Sequence, residues 1–301
     1  MSSTYILVAD DARIGDLVAL AAGTTTTALV VGSRETADRV AAAGVDAVAW
    51  LGEPAGDLPL EAYAPAVAEL VAEAAPDLVL AATRPAERVL AGAVVAYTGA
   101  TVFTMVRSVR VTDGSVDLTR DVFGGIAQET LAVTGTTVVV VDGGPAVENR
   151  APVEVTERPA QPAPGVTVLE DRAAERAAVD LTRAPRIVTA GRGVKAREDL
   201  ALVDGLAAVL GAEAACSRPL AEGLGWYSHD RYIGVTGQHV QPELYVAVGV
   251  SGQLQHAVGA RESGTIVAIN ADKDCPYFAE ADYCVVGDLY ALVPALTEAL
   301  S

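Results

Sequence analysis

A phosphate-bearing cofactor is held by free backbone N–H groups, a nearby cation and glycines that let the main chain come close. The last third of the chain carries all three in order. Pro242 to Asp272 reads as a strand, a small-residue turn, a short helix and a second strand. Leu244 to Val250 is a continuous apolar, partly β-branched run, as in a strand buried on both faces of a parallel sheet. It runs into Gly249-Val250-Ser251-Gly252, and a helical stretch from Gln253 to Val258 follows, ended by Gly259. A helix opening at Ser251-Gly252 would aim N–H donors and the positive end of its dipole at the strand's C-terminal edge, where a phosphate can sit. Many α/β proteins turn this way with no ligand there, so the turn gains meaning from its neighbours. Gly191-Arg192-Gly193 sets a guanidinium in a permissive backbone. Ser217-Arg218, the run Ile233-Gly234-Val235-Thr236-Gly237, and His256 add hydroxyls, a second cation and a titratable donor. Taken singly each has an ordinary reading: Arg218 as a surface charge, Thr236 as a turn residue, His256 as a satisfied imidazole.

These residues must be positioned by an α/β unit. Its strands are expected at Arg186 to Thr189, Leu244 to Val250 and Asp282 to Val286, with helices at Glu198 to Leu210 and Leu289 to Leu300. The first half alternates strand and helix from Tyr5 to Thr98, which predicts a mainly parallel sheet with helices on both faces. After Gly99 the pattern becomes β-rich: Thr101 to Val116 alternates as a hairpin, with Asp113-Gly114 as its turn, and strands run on to Val141. Ala151 to Gly165 is rich in Pro, Glu, Ala and Gln and reads as an extended connector, and Glu170 to Val179 as a short surface helix. The expected division is residues 1–150, a connector over 151–182, and a second domain over 183–301.

Composition excludes several classes. With 301 residues, 51% of them apolar, the chain is long enough for two globular cores. No apolar run reaches the roughly 18 residues of a membrane helix, and MSSTYILVAD lacks a signal-peptide pattern, so a cytoplasmic protein without direct membrane insertion is expected. Acidic residues outnumber basic ones 39 to 21, giving a net charge of −18, which argues against nucleic acid as a partner. The only lysines are Lys195 and Lys273, and an acidic, lysine-poor surface fits a high-salt cytoplasm or a GC-rich genome. Unfolding on transfer from molar to millimolar salt would support the first. The three cysteines form no CxxC and fall short of an iron–sulfur ligand set.

Read together from Arg186 onward, the motifs resemble the alpha subunit of electron transfer flavoproteins. The carrying residues are Gly191-Arg192-Gly193, Ser217-Arg218, Gly234-Val235-Thr236-Gly237, Pro242-Glu243-Leu244-Tyr245, Gly249-Val250-Ser251-Gly252 with Gln255-His256, Ala268-Ile269-Asn270, and Val286-Gly287-Asp288-Leu289. They occur in the family's order with near-constant spacing. The resemblance implies an N-terminal α/β domain of the adenine-nucleotide-hydrolase-like kind and a doubly wound, Rossmann-like FAD-binding domain. It implies FAD as cofactor and a beta subunit as heterodimeric partner. Electrons would pass from dehydrogenases, such as the acyl-CoA dehydrogenases of fatty acid β-oxidation, to a quinone oxidoreductase or similar acceptor. By the same resemblance Arg192 would approach the flavin or its phosphates, Ser217 would help hold it, and Arg218 would lie over the ring. Thr236 would reach flavin N5, with the backbone of Ile233, Gly234 and Val235 lining that loop. Ser251, Gly252, Gln253, Leu254 and Gln255 would surround the ribityl-pyrophosphate chain and His256 the O2 side of the ring. Asn270, Asp288 and Leu289 would bracket the adenosine end.

The chemistry agrees. An electron added to a flavin puts negative charge at the N1/C2=O locus, where a fixed cation or donor such as Arg218 or His256 raises the potential. The chain departs from the family at Val235 and Gln238, where Gln and Lys are frequent, so only the backbone role carries over there. The loop through Trp226 and His229 is one residue longer, and no cofactor role is assigned within it. Two other classes fit the motifs less well. A catalytic flavin- or NAD-dependent oxidoreductase would need paired carboxylates or a nucleophile–base set, and none stands near them. A nucleotide sensor would need only the adenosine end. An electron-bifurcating complex is a further variant, and it depends on the partner subunit.

Overall fold

A computed structural model describes residues 2–112, 114–147, 150–170 and 179–301, which fall into two compact units split between residues 172 and 173. The hairpin-turn residue Asp113 lies outside the described residues, as does the surface helix expected over Glu170 to Val179 apart from its two end positions.

The first unit opens with β1 (Ser3–Ala9), α1 (Gly15–Leu20), β2 (Thr25–Val31), α2 (Arg34–Ala41) and β3 (Ala47–Gly52). It continues with α3 (Ala64–Ala74), β4 (Leu78–Ala82), α4 (Pro85–Thr98) and β5 (Thr101–Thr104). Then come β6 (Val106–Thr112), β7 (Ser115–Val122), β8 (Ala127–Thr134), β9 (Thr137–Val141) and β10 (Val155–Glu157). Seven strands form one sheet in the order β10-β3-β2-β1-β4-β9-β5, every neighbouring pair parallel. All five residues of β4 are buried, which is why its sequence is unbroken Leu, Val and Ala rather than alternating. Apolar clusters cover both faces of this sheet, one around Ile6, Val8 and Leu80 and the other around Leu7, Leu29 and Val79.

The β-rich region after Gly99 differs from a single hairpin beginning at Thr101. Thr101–Thr104 joins the parallel sheet beside β9, and Met105, at φ 58°, turns the chain into a separate antiparallel sheet of β6, β7 and β8. Alternation alone cannot show which sheet a strand joins. Part of the proline-rich segment is also ordered, since Val155–Glu157 pairs with β3 as an edge strand of the first unit. Pro152 and Pro159 stand outside the paired residues, where a missing N–H breaks no ladder bond.

The second unit contains β11 (Arg186–Ala190), α5 (Leu200–Leu210), β12 (Glu213–Cys216), β13 (Leu244–Val248), α6 (Leu254–Ala257), β14 (Thr265–Asn270), β15 (Tyr283–Val286) and α7 (Leu289–Leu300). Its parallel sheet runs β12-β11-β13-β14-β15. Counted within the unit, that order is 2-1-3-4-5, a doubly wound sheet whose direction of winding reverses between β11 and β13. In such sheets ligands bind at the carboxyl ends of the strands flanking the reversal.

Among the described residues no helix is long and apolar enough to cross a membrane.

Candidate functional site

The reversal point of the second unit is where the chemistry-bearing residues meet. Gly191 follows β11 and Gly249 follows β13, and the two loops touch backbone to backbone. Gly191 N donates to Val248 O at 2.8 Å and Gly193 N to Gly249 O at 2.9 Å. A Cβ on Gly191 would fall against the Gly249 carbonyl, and one on Gly193 would lie 2.7 Å from Gly249 Cα. The glycines of both motifs are therefore required by each other: they let two strand ends cross without side chains between them. The crossing leaves Arg192, Ser251 and their neighbours facing outward around a cavity of about 290 Å³.

Seven residues singled out in the sequence line that cavity: Arg192, Ser217, Arg218, Ser251, Gln253, Gln255 and His256. They come from the ends of three strands and from α6, so only the fold brings them together. Ser217 is buried and tied to the β11 end by its N–H, which donates to Ala190 O at 2.9 Å. Arg192 and Arg218 are exposed at the rim, and Arg218 Nε donates to Glu222 at 2.6 Å. That carboxylate raises the Arg218 pKa above its ordinary value by accepting the bond.

The predicted helix start differs from the observed one. α6 begins at Leu254, not at Ser251, and has four residues, so the Ser251-Gly252 segment is an irregular turn. Gly252 sits at φ +76°, with Tyr277 packed where a side chain would be. Any phosphate recognition here comes from that turn, the side chains and the two arginines rather than from a helix dipole.

Ile233, Gly234, Val235 and Thr236 form a loop beside the cavity rather than its wall. Val235 N donates to Gln255 O at 2.8 Å, and the Thr236 hydroxyl pairs with Tyr232 Oη at 3.0 Å. Tyr232 itself lines the cavity, together with Pro219 and Val250; none of the three receives a cofactor role from sequence reasoning, although Val250 stands inside the Gly249-to-Gly252 motif. Leu254 is 39% exposed and stands outside the cavity lining. Asn270, Asp288 and Leu289 stand at the next strand ends and take structural bonds. Asn270 Nδ2 donates to Val250 O at 2.9 Å, holding the turn after β13. Asp288 caps α7 by accepting from Tyr290 N at 3.0 Å, and Leu289 packs near the Gly193–Gly249 crossing.

His256 is the most constrained of the set. It is 7% exposed, and burial pushes its imidazole down to about 4, opposed by the Ile233 backbone. Its Nε2 lies 2.8 Å from Tyr245 Oη, while Nδ1 is buried with no partner in hydrogen-bond geometry. Tyr245 lies inside β13, and the motif Pro242-Glu243-Leu244-Tyr245 by itself assigns it no role. The signal that could have found it is a phenol in an otherwise apolar buried strand, since such a hydroxyl needs a partner.

In the first unit a cavity of about 500 Å³ is lined by Gly15, Val18, Gly44, Val147 and Arg150, and the sheet reverses between β1 and β4. There Arg84 Nη1 lies 3.1 Å from Asp11, and Arg84 Nε donates to Glu87, which is 1% exposed, at 2.8 Å. Ion pairs occupy the residues after β1 and β4 at that reversal point. Among the described residues no group of three or more His, Cys, Asp or Glu could hold a metal ion.

Residues 180–261 match the electron transfer flavoprotein FAD-binding domain, and residues 16–168 match the electron transfer flavoprotein domain. The chain is 38% identical over 250 residues to YdiR of Escherichia coli strain K12, provisionally named an electron transfer flavoprotein subunit, covering 80% of this chain and 79% of that one. It is 38% identical over 258 residues to FixB of Escherichia coli O6:K15:H31, covering 83% and 82%. FixB of Shigella dysenteriae serotype 1 is 38% identical over 253 residues, covering 81% and 80%.

Proposed function

We propose, from the premise that this chain belongs to the electron transfer flavoprotein family as an alpha-type subunit, that its second unit binds FAD and relays electrons as half of a heterodimer with a beta subunit. The observation that carries the reading is the convergence of Arg192, Ser217, Arg218, Ser251, Gln253, Gln255 and His256 on one cavity at the sheet's reversal point. The donor set fits FAD. Two arginines at the rim supply charge for a pyrophosphate, and the cavity wall carries hydroxyls and amides suited to a ribityl chain. His256 presents a buried nitrogen with no protein partner in hydrogen-bond geometry.

Bound there, FAD would supply reversible one- and two-electron chemistry, which no side chain of the chain can provide. The protein's part is to hold and to tune. Arg192 and Arg218 attract the anionic cofactor, and the exposed Glu222 carboxylate keeps Arg218 from sampling the solvent freely. Ser217 and the Ser251-Gly252 turn fix the approach of the main chain, and Tyr232 closes one wall. His256, neutral at pH 7, places an imidazole beside the ring without adding a full charge.

The donors are read as dehydrogenases, acyl-CoA dehydrogenases among them, and the acceptor as a quinone oxidoreductase. Membership in the family supports the electron-transfer role, and the absence of a nucleophile–base set near the motifs favours a carrier over an enzyme with its own substrate. Co-expression with the partner subunit followed by anaerobic mixing with reduced dehydrogenase tests this. Bleaching of the flavin by reduced dehydrogenase, with no turnover of a substrate by the complex alone, is expected. Substrate oxidation by the complex without any dehydrogenase would replace the carrier reading with a catalytic one.

A further inference from the structure

We propose that Tyr245 is the positioning residue for His256, its phenolic O–H donating to Nε2 and thereby leaving the imidazole's only proton on Nδ1. Tyr245 is fully buried in β13, and burial holds its phenol well above the usual range, so the group remains O–H at any working pH. A buried hydroxyl hydrogen needs an acceptor. Thr189 and Tyr277 lie close enough to act on its pKa by hydrogen bonding, but neither hydroxyl reaches a hydrogen bond of normal geometry. His256 Nε2, at 2.8 Å, does. A neutral imidazole has one donor and one acceptor nitrogen, so Nε2 as acceptor makes Nδ1 the N–H.

That Nδ1–H is then a buried donor with no partner in hydrogen-bond geometry, the Ile233 backbone being close enough to raise the His256 pKa, on a side chain that lines the cavity. The fold retains a polar group that a core position would not need, and an occupant of the cavity would offer that donor an acceptor in better geometry than the Ile233 backbone does. The functional half of the inference rests on the FAD reading: an N–H held at Nδ1 favours negative charge on the neighbouring ring and so raises its first reduction potential. Tyr277 supplies an internal control. Its ring centroid is 5.9 Å from His256 and 6.5 Å from Tyr245, and its hydroxyl, though close enough to that of Tyr245 for each to shift the other's pKa, has no partner in hydrogen-bond geometry.

The chain has three histidines, His229, His239 and His256, few enough for ¹⁵N-histidine NMR of the full chain to assign each ring. In the native protein at pH 7, His256 is expected with Nδ1 protonated and Nε2 free, and the opposite tautomer would overturn the proposal. Tyr245→Phe is expected to erase or invert that preference, while Tyr277→Phe leaves it intact. A Tyr245→Phe protein that keeps the native tautomer would sink the idea. If Tyr245→Phe does not fold, the native spectrum and Tyr277→Phe still decide, because loss of the tautomer in Tyr277→Phe would assign it to packing. In the FAD-loaded complex, Tyr245→Phe should move the first reduction potential negative at unchanged flavin content, and an equal shift in Tyr277→Phe would refute the tuning role. Protein that carries no flavin defeats the reading of the cavity, whereas the NMR arm still tests the tautomer.

Discussion

Gly252→Ala is the substitution whose cost follows most directly from the backbone of the site. Two penalties combine. Gly252 has φ +76°, and an alanine there pays roughly 1–2 kcal/mol for the left-handed conformation. Its Cβ would also press on the backbone N of Tyr277 and lie 2.5 Å from its Cα. Backbone cannot rotate away as a flexible side chain could, and Tyr277 is 1% exposed and packed on Tyr245 and His256. Forcing atoms into such packing costs about 1–3 kcal/mol. The sum is about 2–5 kcal/mol, which lowers the melting temperature of a unit of this size by roughly 10 °C. Gly225→Ala isolates the first penalty, because Gly225 has φ +61° in the same unit and nothing within 4 Å of a Cβ. Urea unfolding of the two variants beside the native chain should show Gly252→Ala losing clearly more than Gly225→Ala. Equal losses would refute the claim that Tyr277 occupies the space over Gly252.

Three further outcomes follow from the same geometry. His256 falls from an ordinary 6.5 to about 4 in the folded chain, so its contribution is fully present above 6.5 and lost as pH falls toward 4, where the unfolded chain takes up a proton and the folded one does not. The full window of about 2.5 units corresponds to about 3 kcal/mol, and chemical denaturation between pH 7 and 4.5 should show a slope that His256→Gln flattens. Glu87→Ala should destabilise the first unit by about 3 kcal/mol, since it strips a buried carboxylate from Arg84, and Arg84→Leu with Glu87→Leu should recover much of the loss in a denaturant titration. Arg218→Ala should leave the melting temperature of unloaded protein unchanged, because its ion pair with Glu222 is solvent-exposed, while FAD dissociates faster in a fluorescence-release assay.

The parallel sheets were readable because β4 and β13 are continuous apolar runs, a pattern that burial on both faces imposes. Sheet membership was not: nothing local in Thr101–Thr104 distinguishes an added parallel strand from the arm of a hairpin, since the choice is made by β9, far along the chain. The cavity's side chains were legible as motifs, and their convergence depends on the strand order. Where the sequence pointed to a helix dipole at Ser251, α6 proved too short and began later, because the Gly252 turn is locked against Tyr277 instead. Asn270, expected at the adenosine end, spends its amide on Val250 O, a long-range contact that no spacing reveals. The role of Tyr245 is hidden for the opposite reason. In a strand it reads as one more buried apolar residue, and its role lies wholly in where the hydroxyl ends.

The central claim is that the reversal point of the second unit holds FAD. The visible spectrum of the chain purified with its partner subunit tests it most directly, with Arg192→Ala, Arg218→Ala and Ser217→Ala prepared alongside. A yellow complex that releases FAD on denaturation, and loses it progressively in those variants, is the expected result. A colourless complex, or flavin content indifferent to all three substitutions, would contradict the assignment of the cavity.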